Sequence, residues 1–175
     1  MHDIFLTIFR PKDYMNKTLC GKAAVIKTYA LTLLLSAFLS AIYIMNGNVK
    51  ISAIMIYSPI IFLIAIIGIH IEITIIYALL KVFKVQNVTY FNLTKNMLLT
   101  VYWVYNMYVF ILSPLKLLDV QVIMSLMLLF LRSWKYYLIY FLIQKLYCMD
   151  TKKRMSIVGI LIIIDVVLHF LTIIR

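Results

Sequence analysis

Acidic side chains are almost missing from this chain, with six Asp and Glu in 175 residues and Glu72 the sole glutamate. One glutamate is too few for the paired glutamates of abortive-infection-type intramembrane proteases. The segment IHIEI around His70 and Glu72 also lacks the H-E-x-x-H spacing that sets two zinc-binding imidazoles on one helix face. Cysteine is limited to Cys20 and Cys148, without C-x-x-C and without a His-rich loop, so no metal-ligand pattern is present. Both sit in short basic segments and read as reduced cytoplasmic thiols, with palmitoylation of Cys148 the alternative. No serine lies in a G-x-S-x-G context, and neither cysteine has a histidine nearby in the sequence to form a dyad. Only four glycines occur, and no Gly-rich, discontinuous helix pair of the kind that builds transporter cavities is seen. These absences point away from an enzyme and from any metal or cofactor.

What is abundant is apolar. Hydrophobic residues make up 65%, charged residues 13% and mean hydropathy is +1.04, against about 25% charged residues in ordinary soluble domains. The composition predicts an all-α, polytopic integral membrane protein. The net charge of +11 does not signal nucleic acid, because the basic residues punctuate hydrophobic runs instead of forming a basic stripe interleaved with aromatics. Charges so placed suit loops against an anionic leaflet.

Residues 1–22 form a basic, amphipathic lead-in. Ile4, Phe5, Ile8 and Phe9 recur at helical spacing until Pro11 stops the pattern, which predicts a short helix on the membrane surface. Asp3, Arg10, Lys12 and Asp13 interrupt any signal-peptide core, so the first long apolar run is expected to be an uncleaved anchor. Residues 23–175 then divide into five runs of membrane-spanning length, about 23–45, 51–80, 96–112, 119–147 and 156–174. Asn46, Gly47 and Asn48 read as a tight turn, residues 81–95 as a polar link and 148–155 as a basic loop. In the first run, Ser36, Ala37, Ser40 and Ala41 make a small-residue packing face, and Gly68 marks the packing side of the second.

Twelve of the seventeen Lys and Arg fall on one face, five from Arg10 to Lys27, three from Lys81 to Lys95 and four from Lys145 to Arg154; Lys50, Lys116 and Arg175 fall on the other face, and Arg132 and Lys135 lie near the middle of a run. The positive-inside rule then puts the N-terminus in the cytoplasm and the C-terminus across the membrane. An odd number of spans follows. Three N-x-T triplets, at Asn16, Asn87 and Asn92, fall on the cytoplasmic side and read as chance matches to a glycosylation acceptor.

Arg132 and Lys135 near the centre of the fourth run are the focus of the sequence. A central arginine costs roughly 2.5–3.5 kcal/mol to insert, so it needs a partner. Depth along each helix, at about 1.5 Å per residue, matches Arg132 with Asp165 and Lys135 with Glu72. His169 shares a face with Asp165, whereas His70 and Glu72 point to nearly opposite sides, and Asn106 is a buried polar group in the third run. Together these predict an intramembrane polar network of His70, Glu72, Asn106, Arg132, Lys135, Asp165 and His169. Such a network either fixes helix register or carries protons or ions through Glu72, Asp165 and His169.

The opening IFLTIFRPKDYM, the aromatic WKYYLIYFLIQKLY with Trp134, Tyr136, Tyr137 and Tyr140, and the basic turn DTKKRMSIVGILI resemble the Yip-domain (Ypt-interacting protein) family, chiefly its divergent prokaryotic branch. The acidic, Gly and Pro signature of the eukaryotic members is not seen, so Rab-type GTPase binding is not carried over. The resemblance implies a non-enzymatic five-span scaffold or accessory protein of a transport or trafficking complex, whose partners are the bilayer and other membrane proteins or itself. It also implies a prokaryotic plasma membrane, or an endomembrane in a eukaryote.

Overall fold

The computed structural model describes residues 23–47, 52–112 and 121–173. Among these the fold is entirely helical. Helix α1 is Ala23–Gly47, α2 is Ser52–Val82, α4 is Gln121–Tyr147 and α5 is Thr151–Ile173. Helix α3 covers 90–112 in three pieces, α-helical Tyr90–Asn96, π-helical Met97–Tyr102 and α-helical Trp103–Leu112. Each helix overlies one of the five apolar runs, since a long apolar segment gains most by bonding its own backbone and burying side chains against neighbours of the same kind.

Cross-helix pairs fix the directions. Thr28 meets Leu98 and Thr32 meets Asn106, so α1 and α3 run the same way. Thr74 and Glu72 meet Tyr90 and Tyr102, so α2 runs against α3. Tyr105 lies near Lys135 and Tyr108 packs on Phe130, so α4 also opposes α3. Arg132 with Asp165 and Tyr140 with Arg154 set α5 against α4. The result is an up-down-up-down-up order with short described links.

Those links are shorter than the sequence suggested. Helix α3 starts at Tyr90 and not near Asn96, because Thr89, in extended conformation, caps it by accepting from the Asn92 N–H at 3.4 Å. The Asn87–Val88–Thr89 triplet thus has a structural reading: Asn87 turns the chain at φ 58° and Thr89 caps the helix. Helix α2 closes with a Schellman pattern, Val85 N–H to the Leu80 carbonyl and Lys84 N–H to the Lys81 carbonyl at 3.0 and 2.9 Å. Lys84 takes the left-handed position, φ 55°, that glycine usually fills. Helix α5 starts at Thr151, ahead of the expected Ser156. Only 148–150 turn, with Cys148 at φ 43°. Asn46 and Gly47 are still helical, and α2 passes through Pro59 as one helix.

The core sits at one end. Ile73, Ile76 and Leu80 of α2, Leu93, Met97 and Leu98 of α3, Leu138, Ile139, Leu142 and Ile143 of α4 and Ile157 of α5 are essentially fully buried together. That is the end holding the 83–89 and 148–150 links. Toward the other end, Leu63, Ile64 and Ile67 of α2, Leu126 and Leu129 of α4 and Ile163 and Val167 of α5 lie exposed. Two helical stretches are long and apolar enough to cross a membrane, Ile56–Val82 and Ser125–Tyr147. Only 17% of the α2 window is buried within the protein, so its apolar surface faces outward, unlike a core helix of a soluble domain.

Candidate functional site

The π-helical stretch shapes the middle of the bundle. All six of its residues are buried, and the Trp103 N–H reaches back five residues to the Leu98 carbonyl. The Thr28 hydroxyl of α1 donates to that same carbonyl at 3.0 Å, a side-chain bond at the point where the α-helical ladder is interrupted. Past this turn, Tyr102 and Asn106 stand four residues apart on one helix row. The Asn106 amide donates to the Thr32 hydroxyl at 2.8 Å, and Thr32 and Ser36 each donate to the carbonyl one turn back along α1, at 2.8 Å. Thr28, Thr32, Ser36 and Asn106 form a buried hydroxyl-amide seam between α1 and α3.

Tyr102 reaches the other way. Its hydroxyl donates to Glu72 Oε2 at 2.7 Å, and Lys135 Nζ donates to the same oxygen at 3.1 Å. The Lys135 ammonium also lies over the Tyr136 ring, 5.1 Å from its centroid, and near that of Tyr105. Glu72 and Lys135 are thus joined from α2 and α4 with α3 bracing them, and both side chains are less than one-fifth exposed. A carboxylate with an ammonium and a phenol on one oxygen is a charge-assisted cluster, stronger than neutral bonds. Two cavities meet at this pair. One, about 270 Å³, is bounded by Thr32, Ser36, Ile61, Tyr105 and Asn106; the other, about 290 Å³, by Gly68, Ile71, Tyr136, Ile164 and Asp165.

Arg132 and Asp165 form a looser pair. Nε lies 3.7 Å from Oδ2, and the side chains are 38% and 32% exposed. That separation exceeds hydrogen-bond reach. Tyr136 interacts with the same carboxylate.

His70 stands apart from Glu72. Its Nε2 is 3.1 Å from the Tyr29 hydroxyl and its Nδ1 3.3 Å from that of Tyr90, while Thr74 bonds the His70 carbonyl. His70 therefore joins α1, α2 and the start of α3, and is not part of the Glu72 cluster. The single expected network is in fact separate groups, because residues two apart on a helix face nearly opposite ways. Gly68 needs a further correction. A Cβ there would meet nothing within 4 Å, so it lines an open cleft and is no point of close helix approach.

Ser36 of α1 is buried, and Ala37 and Ala41 are half-buried. The side chains of Ser40 and His169, and all of Ile4, Phe5, Ile8 and Phe9, fall outside the described residues. Arg154, read as a loop cation, is instead a buried helical residue. Its guanidinium sits 4.8 Å over the Tyr140 ring and donates to Thr151 at 2.9 Å. The sequence reading missed Thr28 and Thr32; their spacing with Ser36, four and four, was the available signal. Among the described residues no three His, Cys, Asp or Glu side chains converge as a metal site. Comparison with protein-family models, curated proteins and solved structures gives no match.

Proposed function

We propose that this protein is a non-enzymatic, five-span membrane scaffold or accessory protein of the Yip-domain type, working through helix-helix contacts with other membrane proteins. The observation that carries this reading is the Arg132–Asp165 pair, about a third exposed near the middle of α4 and α5 and flanked by exposed Leu128, Leu129 and Ile162. Charge cannot be left against lipid cheaply, so protein is the cover that fits. The closely packed end, where side chains from four helices are fully buried, favours a structural role over an open pore. In this reading both described links, 83–89 and 148–150, are cytoplasmic together with the N-terminus, as the Lys and Arg bias requires.

The test has two parts. Single cysteines at Gln86 and Met149 should react with an impermeant thiol reagent from the same side; labelling from opposite sides overturns five spans. A photo-crosslinker at Leu129 in native membranes should give protein adducts; its complete failure to do so overturns the contact role.

A second reading, a small transporter or channel component, is favoured by one feature: Glu72 and Lys135 line both cavities. A proton or ion would then pass by way of Glu72 and Asp165. Protein in liposomes should show flux that Glu72→Gln abolishes, and absence of flux under any imposed gradient removes this reading.

A further inference from the structure

We infer that the covering partner of the Arg132–Asp165 face is a second copy of this chain, joined about a two-fold axis so that Arg132 of each copy meets Asp165 of the other. The inference rests on the contact role proposed above. A guanidinium carries five N–H donors in a planar fork suited to a carboxylate. Within one chain Arg132 offers Asp165 only Nε, and at 3.7 Å. The outer fork has no bonded acceptor among the described residues, and in hydrocarbon each unsatisfied donor is costly.

The face itself states what would satisfy it. It carries one cation and one anion side by side on antiparallel helices, so it has no surplus charge for a partner of a single sign to neutralise. It is complementary to itself: a two-fold rotation swaps the two signs, which is the requirement for an isologous interface. Ser125, Leu128 and Leu129 precede Arg132 on the same row of α4 and are exposed, and Ile162, one turn before Asp165, is exposed beside them. The apolar rim and the charged centre therefore lie on one surface. By contrast, the Lys135–Glu72 pair is less than one-fifth exposed and its carboxylate already holds two donors on Oε2, so it leaves little for a neighbour.

The experiment uses full-length chains carrying donor and acceptor fluorophores, reconstituted together and diluted in lipid. Wild-type copies should pair. Copies with Arg132→Asp alone, or with Asp165→Arg alone, should pair about thirtyfold more weakly or worse, the scale for losing one partner of a buried charged pair. Mixed with each other, those two variants should pair again. The Arg132→Asp copy then presents carboxylates at both positions and the Asp165→Arg copy guanidiniums at both, so opposite signs face each other at each contact. Recovery in the mixture cannot come from a pairing confined within one chain. Leu129→Trp keeps both charges and obstructs only the outer surface, so it should weaken pairing in a folded protein. Wild-type copies that separate on dilution, a mixture no better than either variant alone, or Leu129→Trp copies that pair as well as wild type would each overturn the inference. Should copies stay apart while a crosslinker at Leu129 captures other membrane proteins, the dimer fails and the broader contact role stands.

Discussion

The two ends of the bundle are built differently from similar material. At the end holding the 83–89 and 148–150 links, branched apolar side chains from four helices interlock and many are wholly buried. At the opposite end the same residue types, Leu and Ile above all, stand exposed on α2, α4 and α5. Hydrophobicity therefore does not decide which end is packed. Backbone closure goes with the packing: the turn at 148–150 joins antiparallel neighbours directly, and the Thr89 cap and the Schellman closure of α2 seal the backbone at the packed end. Polar groups follow the same division. Thr28 donates to the Leu98 carbonyl on the closed side, whereas Thr32, Asn106 and the Glu72–Lys135 and Arg132–Asp165 pairs lie where the packing starts to open onto cavities.

This contrast is best challenged through its charges first. Glu72→Leu leaves Lys135 without its carboxylate and should cost about 3–5 kcal/mol, whereas Glu72→Leu with Lys135→Met should cost clearly less, since the desolvation of two charges is relieved. Denaturant unfolding in mixed micelles measures both, and equal losses would show that the pair does not bind α2 to α4. Next, Leu142→Ala at the closed end should cost about 2–5 kcal/mol through its cavity, while Leu126→Ala at the open end should fall within about 0.5 kcal/mol for the isolated chain. Comparable losses would mean that the open end is covered.

Smaller changes sharpen the picture. Thr32→Val removes the acceptor of the buried Asn106 amide and should cost about 1–3 kcal/mol, with Asn106→Leu in addition recovering part of it. Thr89→Ala should cost about 1 kcal/mol through lost capping, seen as faster amide exchange at the start of α3. Lys84→Gly should be mildly stabilising, by about 0.5–1 kcal/mol, because glycine takes the left-handed position without steric penalty. A loss on that substitution would show that the Lys84 side chain holds the turn.

Much of the site was legible from one-dimensional spacing. Matching Arg132 to Asp165 and Lys135 to Glu72 needed only rise per residue and the alternation of helix direction, and the structure brings both pairs together. The hydroxyl-amide seam was harder, because threonine in an apolar helix is ordinary until its partner is known; Thr32 acquires a role only when Asn106 arrives from α3. The early starts of α3 and α5 were hidden by polar composition. Residues 90–96 and 151–155 are too hydrophilic to stand out in an apolar window, yet Thr89 and the turn at 148–150 let helices begin there. Gly68 misled because small residues allow close approach without enforcing it.

Composition and period alone determined that the chain is helical, that two stretches at least are long and apolar enough to cross a bilayer, and that its few acids must answer its buried cations. Tertiary structure alone decided the rest. The π turn that aims Tyr102 at Glu72, the separation of His70 from that cluster and the unequal packing of the two ends depend on how helices meet, because a side chain's neighbours across a bundle are set by rotation and crossing of helices and not by any local pattern.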